Sequence, residues 1–218
     1  MEKRKHIVIL AAGSFPTHSV PMQALREADM VVCCDSAYHA FRQSPFATLD
    51  HVVVGDADSL GAADIATLGK RYIVSSEQDD NDLTKAYHWV QEHYGNDGCR
   101  LTFLGLTGLR EDHTLGNLAH VAQFCADGHP GLVVLTDHCT ITPVCGAATF
   151  SSFARQQVSI FSFTPDVPVN AEGLVWPVVD MHLRWGWEAT LNAAIGGRFS
   201  VSGGVLLVTQ THEAKDMA

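Results

Sequence analysis

The stretch VVVGDADSLG, Val52 to Gly61, decides how the chain is read. It opens with three β-branched residues suited to a strand buried on both faces, then turns polar at once and sets two carboxylates, Asp56 and Asp58, two positions apart. Taken alone, Asp and Ser after a strand are ordinary turn formers and helix caps. The neighbouring segments decide whether they carry chemistry.

Working outward, the first two thirds of the 218 residues alternate. Short runs rich in β-branched and other apolar residues at 6–11, 30–34, 51–54, 71–74, 100–106 and 131–136 are separated by stretches with helical spacing, the βαβ signature of a mostly parallel, Rossmann-like sheet covered on both faces. Two helices are well marked. From Asp80, Leu83, Ala86, Tyr87, Val90 and Tyr94 follow the i, i+3, i+4, i+7 rule, and from Asp112 so do Leu115, Leu118, Ala119 and Ala122. After Thr136 the segments CTITPVCG, QVSIFSF, VNAEGLVWPV and RFSVSGGVLLV read as strands punctuated by Gly, Pro and Asn. The chain is therefore expected to form an α/β domain over 1–137 and a smaller all-β sandwich or barrel over 138–218.

Composition narrows the function. No apolar run approaches the roughly 20 residues that cross a bilayer, and the N-terminus has too short an apolar core for a secretion signal, so a cytoplasmic protein without membrane contact is expected. Six cysteines without a CxxC pair read as reduced thiols, and twelve histidines without metal-site spacing support no zinc centre. A formal charge of −10 argues against a nucleic-acid partner. It is compatible with a nucleotide that arrives with a divalent cation.

In an open parallel sheet the ligand site lies outside the carboxyl ends of the strands. The second predicted strand is followed by Asp35, the third by Asp56 and Asp58, the fourth by EQDDNDLTKA with Asp79, Asp80 and Asp82, and the fifth by GLTGLREDHTLGNL with Arg110 and Asp112. Converging carboxylates destabilise a fold unless a cation compensates, since two unit charges about 4 Å apart repel by about 4 kcal/mol at an effective dielectric of about 20. Mg²⁺ suits such a site, because it takes a few carboxylates together with waters and substrate phosphates such as those of ATP. Lys85, one turn after Asp82, reaches a phosphate as a point charge, and Arg110 offers a planar fork to two phosphate oxygens. The plain alternatives are a surface ion pair for each base, with Asp80 and Asp112 as helix caps.

These segments, in this order, resemble the thiamine pyrophosphokinase family. GDADSL resembles the family's GDFDS segment, QDDNDLTKA its DQxxTDLxKA segment and GLTGLREDHTLGNL its GxxGGRxDHxLxNL segment. VSIFSF, GLVWPV, ATLNAA and GGVLLV resemble pieces of its β-domain, so the likeness covers almost the whole chain. It implies transfer of a pyrophosphoryl group from ATP, with Mg²⁺, to the hydroxyl of thiamine, giving thiamine diphosphate and AMP. By matching position it implies metal binding by Asp56, Asp58 and Asp82, with Asp35 and Asp112 nearby as further ligands or orienters. Lys85 and Arg110 would hold phosphates, and Gln78 and Asn117 would contact substrate. Asn192 and Thr190 would hydrogen-bond the aminopyrimidine of thiamine, and a Trp would stack on its rings; Trp176 matches by position, with Trp185 and Trp187 close in sequence. The resemblance further implies a homodimer with the active site at the subunit interface.

The chain departs from the family pattern at several places. CDSA (Cys34 to Ala37) stands for ADGG, Ala57 for Phe, Asn81 for Thr, Leu109 for the second Gly of GGR, and Leu191 for Ser. The last change removes a hydroxyl from the implied thiamine pocket. The acidic edge alone would fit a metal-dependent pyrophosphohydrolase equally well, and a non-catalytic thiamine sensor is a second alternative. A dinucleotide oxidoreductase is disfavoured because AAGSFPTHS lacks the GxGxxG spacing.

Overall fold

The computed structural model describes residues 4–75, 81–95, 98–129 and 131–214. The chain divides into two compact units, Met1–His120 with His129–Asp137, and Val121–Gly128 with His138–Ala218.

The first unit contains β1 (Lys5–Leu10), β2 (Met30–Cys34), β3 (His51–Gly55), β4 (Tyr72–Val74), β5 (Cys99–Leu104) and β6 (Leu132–Leu135). They lie in the order β4-β3-β2-β1-β5-β6, and each of these pairings is parallel. Five residues of β1 and four each of β2 and β3 are buried, which is why these strands read as continuous apolar runs rather than as alternating ones. Helices α1 (Ser19–Arg26), α2 (Ala37–Gln43), α3 (Ala62–Leu68), α4 (Asp82–Tyr94) and α5 (Glu111–Ala126) occupy the intervening stretches.

Of the stripe its spacing predicts, helix α4 buries Leu83, Ala86, Tyr87 and Val90 and leaves Tyr94 half-buried, and it packs on β1, β2 and β3. Its cap is Asn81, whose Oδ1 accepts from the backbone N–H of Thr84 at 2.9 Å; Asp79 and Asp80 lie outside the described residues. Asp112 sits inside the first turn of α5 rather than at its cap. The stripe expected on α5 is buried only in part: Ala122 is buried, but Leu115 is 71% exposed. Periodicity identifies which face of a helix is apolar; burying that face needs a neighbour, which a pattern does not supply.

Two loops at the carboxyl edge are zipped together by close backbone contact. Gly13 N–H donates to the Gly105 carbonyl at 2.7 Å and Ser14 N–H to that of Thr107 at 2.8 Å. A Cβ at position 13 would stand 2.4 Å from both carbonyl oxygens, so only glycine fits there.

The second unit contains β7 (Cys139–Ser151), β8 (Gln156–Ser162), β9 (Val169–Glu172), β10 (Val178–Met181), β11 (Ala189–Ala193) and β12 (Arg198–Ala214), and the pairings among them are antiparallel. The 17-residue strand β12 organises it. Before Gly203 it pairs with the far end of β7 and with β9; beyond Gly204 it pairs with the near end of β7 and with β8. The register shifts between Ser202 and Val205, so one long ribbon serves two sheet segments. Phe199 and Val201 from one half join Leu206 and Val208 from the other in a single apolar core with Val158, Ile160 and Val169.

The shift depends on Gly204. A Cβ there would lie 2.0 Å from the Thr164 hydroxyl, which accepts from the Val205 N–H at 3.0 Å. Gly204→Ala is expected to destabilise the chain by about 2 kcal/mol, read as a lower urea midpoint at unchanged slope. An unaltered midpoint would show that the ribbon accommodates a side chain at its shift.

Candidate active site

The site starts from level strand ends. Cys34 of β2 lies opposite Val54 of β3, so the next residues, Asp35 and Gly55, emerge side by side. Asp35 is fully buried. Its carboxyl packs over Gly55 so closely that a Cβ at 55 would stand 2.5 Å from the Asp35 Cβ. Tyr72 on β4 donates its hydroxyl to Asp35 Oδ1 at 3.2 Å, and the Ser59 N–H reaches Oδ2 at 3.3 Å.

Beyond Gly55 the chain carries Asp56 and Asp58 with Ala57 between them in the left-handed region, at φ 71°. That backbone costs a non-glycine residue roughly 1 to 2 kcal/mol. Asp35, Asp56 and Asp58 each offer an oxygen within 4.8 Å of the others. Ser59 Oγ donates to Asp58 Oδ1 at 2.8 Å.

Lys85, in the first turns of α4, points to the same edge. Its ammonium lies 3.1 Å from Asp56 Oδ2 and 3.5 Å from Asp82 Oδ1, and its side chain is 3% exposed. Burial lowers the affinity of Lys85 for its proton, but the bonds to the two carboxylates together outweigh it and the pKa is raised. The bond from Lys85 holds Asp56 below the ordinary carboxylate range. Burial raises Asp35, against the pull of the Ser59 and Tyr72 bonds, and raises Asp82 against the pull of Lys85.

A cavity of about 680 Å³ opens over this edge, with Gly13, Asp56, Asp82, Lys85, Arg110 and Asn117 in its walls. Arg110 makes a forked pair with Asp112, Nε to Oδ1 at 3.1 Å and a terminal nitrogen to Oδ2 at 2.5 Å. Both side chains are well exposed, and the guanidinium holds Asp112 down at about 2. Asn117 donates from Nδ2 to the Leu106 carbonyl at 3.0 Å, tying α5 to the loop after β5.

The residues expected from sequence are thus divided by the structure. Asp56, Asp82 and Lys85 meet in the cavity wall, and Arg110, Asp112 and Asn117 line it as well. The three-carboxylate group contains Asp35 in place of Asp82, which is held instead by Lys85. Gln78 lies outside the described residues. In the second unit Trp176, Trp185 and Trp187 are 59%, 82% and 63% exposed. Thr190 spends its hydroxyl on the Trp187 carbonyl at 2.8 Å. Asn192 is buried, with its amide bonded to the backbone of Trp176 rather than open to a substrate. Leu191 is 76% exposed and sits at φ 57°. Tyr72, Ser59 and Gly55 shape the site without having been singled out from sequence. Gly55 and Ser59 left a trace there as the ends of the GDADS segment; Tyr72 left none.

Two family models match the chain: "Thiamin pyrophosphokinase, catalytic domain" over residues 22–131 and "Thiamin pyrophosphokinase, substrate-binding domain" over residues 140–208. The chain belongs to the thiamin pyrophosphokinase family. It is therefore a thiamine diphosphokinase, an enzyme that transfers a pyrophosphoryl group to thiamine. Solved structures agree in fold. A thiamin pyrophosphokinase family protein from Enterococcus faecalis matches with a TM-score of 0.78 at 18% identity, covering 98% of this chain and 100% of that one. Thiamin pyrophosphokinase from Candida albicans gives 0.77 at 18% identity over 96% of this chain and 90% of its own, and the yeast enzyme 0.73 at 15% over 96% and 87%. No curated protein sequence matches the chain.

Gly55→Ala should displace the Asp35 carboxyl and lower thiamine diphosphate formation by about a hundredfold, since misplacing a site group by an ångström costs that much. Gly61→Ala, where an added methyl meets nothing within 4 Å, should leave the rate unchanged. Equal rates for the two variants would remove Asp35 from the site.

Proposed function

We propose that the pyrophosphoryl donor is ATP, that a divalent cation, Mg²⁺, accompanies it, and that the residues gathered at the ends of β2 and β3 perform the transfer. The observation that carries this reading is the grouping of Asp35, Asp56 and Asp58 oxygens within 4.8 Å beside the cavity that Lys85 and Arg110 line. The donor set fits: it is all oxygen, as a hard cation prefers, and of the four carboxylates at this edge only Asp56 and Asp82 bond the buried ammonium of Lys85. Asp35, Asp56 and Asp58 would hold the ion, with Asp82 at its margin. When bound, Mg²⁺ would neutralise phosphate oxygens and the charge that gathers on them during transfer.

In the balanced reaction the thiamine hydroxyl oxygen bonds to the β-phosphorus of ATP, the bond from that phosphorus to the α,β-bridging oxygen breaks, AMP departs and the hydroxyl proton is released. Such a transfer needs alignment and charge neutralisation more than covalent participation. Lys85 is held by two carboxylates in the cavity wall and presents a fixed positive charge to phosphate. Arg110 is exposed, and its fork can exchange Asp112 for two phosphate oxygens. Asn117 fixes the loop at Leu106 that borders the cavity.

The strand order β4-β3-β2-β1-β5-β6 reverses direction between β1 and β5, which supports a Rossmann-like reading with the ligand at that crevice. No helix among the described residues is long and apolar enough to cross a membrane, and we place the enzyme in the cytoplasm. We assign the α/β unit to ATP and the β-rich unit to thiamine and to dimerisation.

Purified chain incubated with thiamine, ATP and Mg²⁺ should yield thiamine diphosphate and AMP in equal amounts. Asp56→Asn and Asp58→Asn should each lower turnover by about a hundredfold or more in folded protein. AMP released without thiamine would point to a pyrophosphohydrolase, and binding without turnover to a sensor.

A homodimer with sites shared between subunits predicts rescue in trans. Asp58→Ala and Trp176→Ala homodimers should each be severely impaired. After exchange, half the dimers are mixed and one of their two sites is intact, so activity should recover to about a quarter of wild type. Activity that stays at the sum of the two variants, with exchange verified by mass spectrometry, would place the site within one chain.

A further inference from the structure

The Asn192 side chain makes three hydrogen bonds, all to backbone. Oδ1 accepts from the Trp176 N–H at 3.1 Å and from the Ala193 N–H at 2.8 Å, while Nδ2 donates to the Trp176 carbonyl at 2.8 Å. The amide thus pairs with both backbone polar groups of Trp176.

The ladder on either side explains why a side chain is used. Ile195 N–H donates to the Gly173 carbonyl at 2.9 Å, Leu174 bridges Ala194, and Val175 N–H donates to the Ala193 carbonyl at 2.8 Å. Hydrogen-bonded pairs alternate along such a ladder, so Trp176 opposite Asn192 is a position without main-chain bonds to β11, and the next rung would be Pro177 with Leu191. Leu191 has a left-handed backbone, and the β11 register shifts between Ala189 and Asn192. Pro177 follows Trp176 and has no N–H to extend the pairing. The Asn192 amide bonds the Trp176 main chain where no strand does; Asn192 is 4% exposed, while Trp176 is 59% exposed on a backbone fixed at both its polar groups. An exposed indole on a rigid backbone is a stacking platform that loses little freedom on binding.

We infer that Asn192 is a positioning residue: it clamps the Trp176 backbone so that the indole is preset for stacking on the thiamine rings, and it does not itself contact the substrate. This rests on thiamine binding by the β-rich unit, and it selects Trp176 over Trp185 and Trp187 as the platform.

The test is a double-mutant cycle with a spectroscopic control. In protein labelled with 5-fluorotryptophan, Asn192→Ala should shift or broaden the Trp176 ¹⁹F resonance, with Trp89 in the first unit unchanged as the report of an intact fold. The KM for thiamine should rise about five- to tenfold, with the KM for ATP unchanged. In the Trp176→Ala background the same substitution should add nothing. If Asn192→Ala does not fold, Asn192→Asp keeps the acceptor of two of the bonds and should give the same pattern at smaller amplitude. An additive effect on the KM for thiamine would show that Asn192 touches substrate, and an unmoved Trp176 resonance would show that no clamp operates; either overturns the inference. A Trp176→Ala enzyme with an unchanged KM for thiamine overturns it as well. Failure of the wild-type chain to make thiamine diphosphate would instead refute the functional reading, with the resonance shift still reporting the clamp.

Discussion

Asp35, Asp56 and Asp58 can bring their oxygens within 4.8 Å of one another, and like charges at that range repel by several kcal/mol unless something positive intervenes. Much of the first unit follows from that constraint. Strands β2 and β3 end level so that the acids share one edge, Gly55 has no side chain so that Asp35 can pack over it, and Ala57 holds a left-handed turn between Asp56 and Asp58. Lys85 is buried against Asp56 and Asp82, but one ammonium cannot balance four carboxylates. Burial adds to the cost, raising Asp35 and Asp82, and Tyr72 and Ser59 offset part of it by donating to Asp35. The divalent cation we propose would complete what these groups begin.

The second unit meets a different constraint. Its long β7 and β12 ribbon must serve two sheet segments, which it does through the register shift at Gly203 and Gly204. Side chains supplement its main-chain ladders: Thr164 bonds the Val205 N–H and Asn192 the Trp176 backbone, and the Thr190 hydroxyl joins its own N–H on the Trp187 carbonyl. The same economy holds exposed tryptophans in place on a small core.

The features legible in the sequence are those that repeat locally. The buried runs of β1 to β3, the stripe on α4 and the Asp56 and Asp58 doublet all lie within a dozen consecutive residues, so a pattern reveals them. The features that escaped are long-range pairings. Tyr72 reaches Asp35 across 37 positions and Ser59 reaches it across 24, and no periodicity encodes either. Asn192 was legible as a polar residue matching the family motif, but the Trp176 backbone that its amide bonds lies 16 positions away. Asp82 was visible as one more acid after a strand and as the i,i+3 neighbour of Lys85, whereas the shorter bond of Lys85, to Asp56 across 29 positions, depends on how α4 packs against β3.

The central claim is that the acidic edge is built to be completed by a cation, and thermal unfolding tests it most directly. Wild-type protein freed of metal should gain several degrees in Tm on addition of Mg²⁺. Asp58→Asn, relieved of one repelling charge, should melt at or above metal-free wild type and respond little to the ion. A wild-type Tm indifferent to Mg²⁺, together with an Asp58→Asn protein less stable than metal-free wild type, would contradict the account.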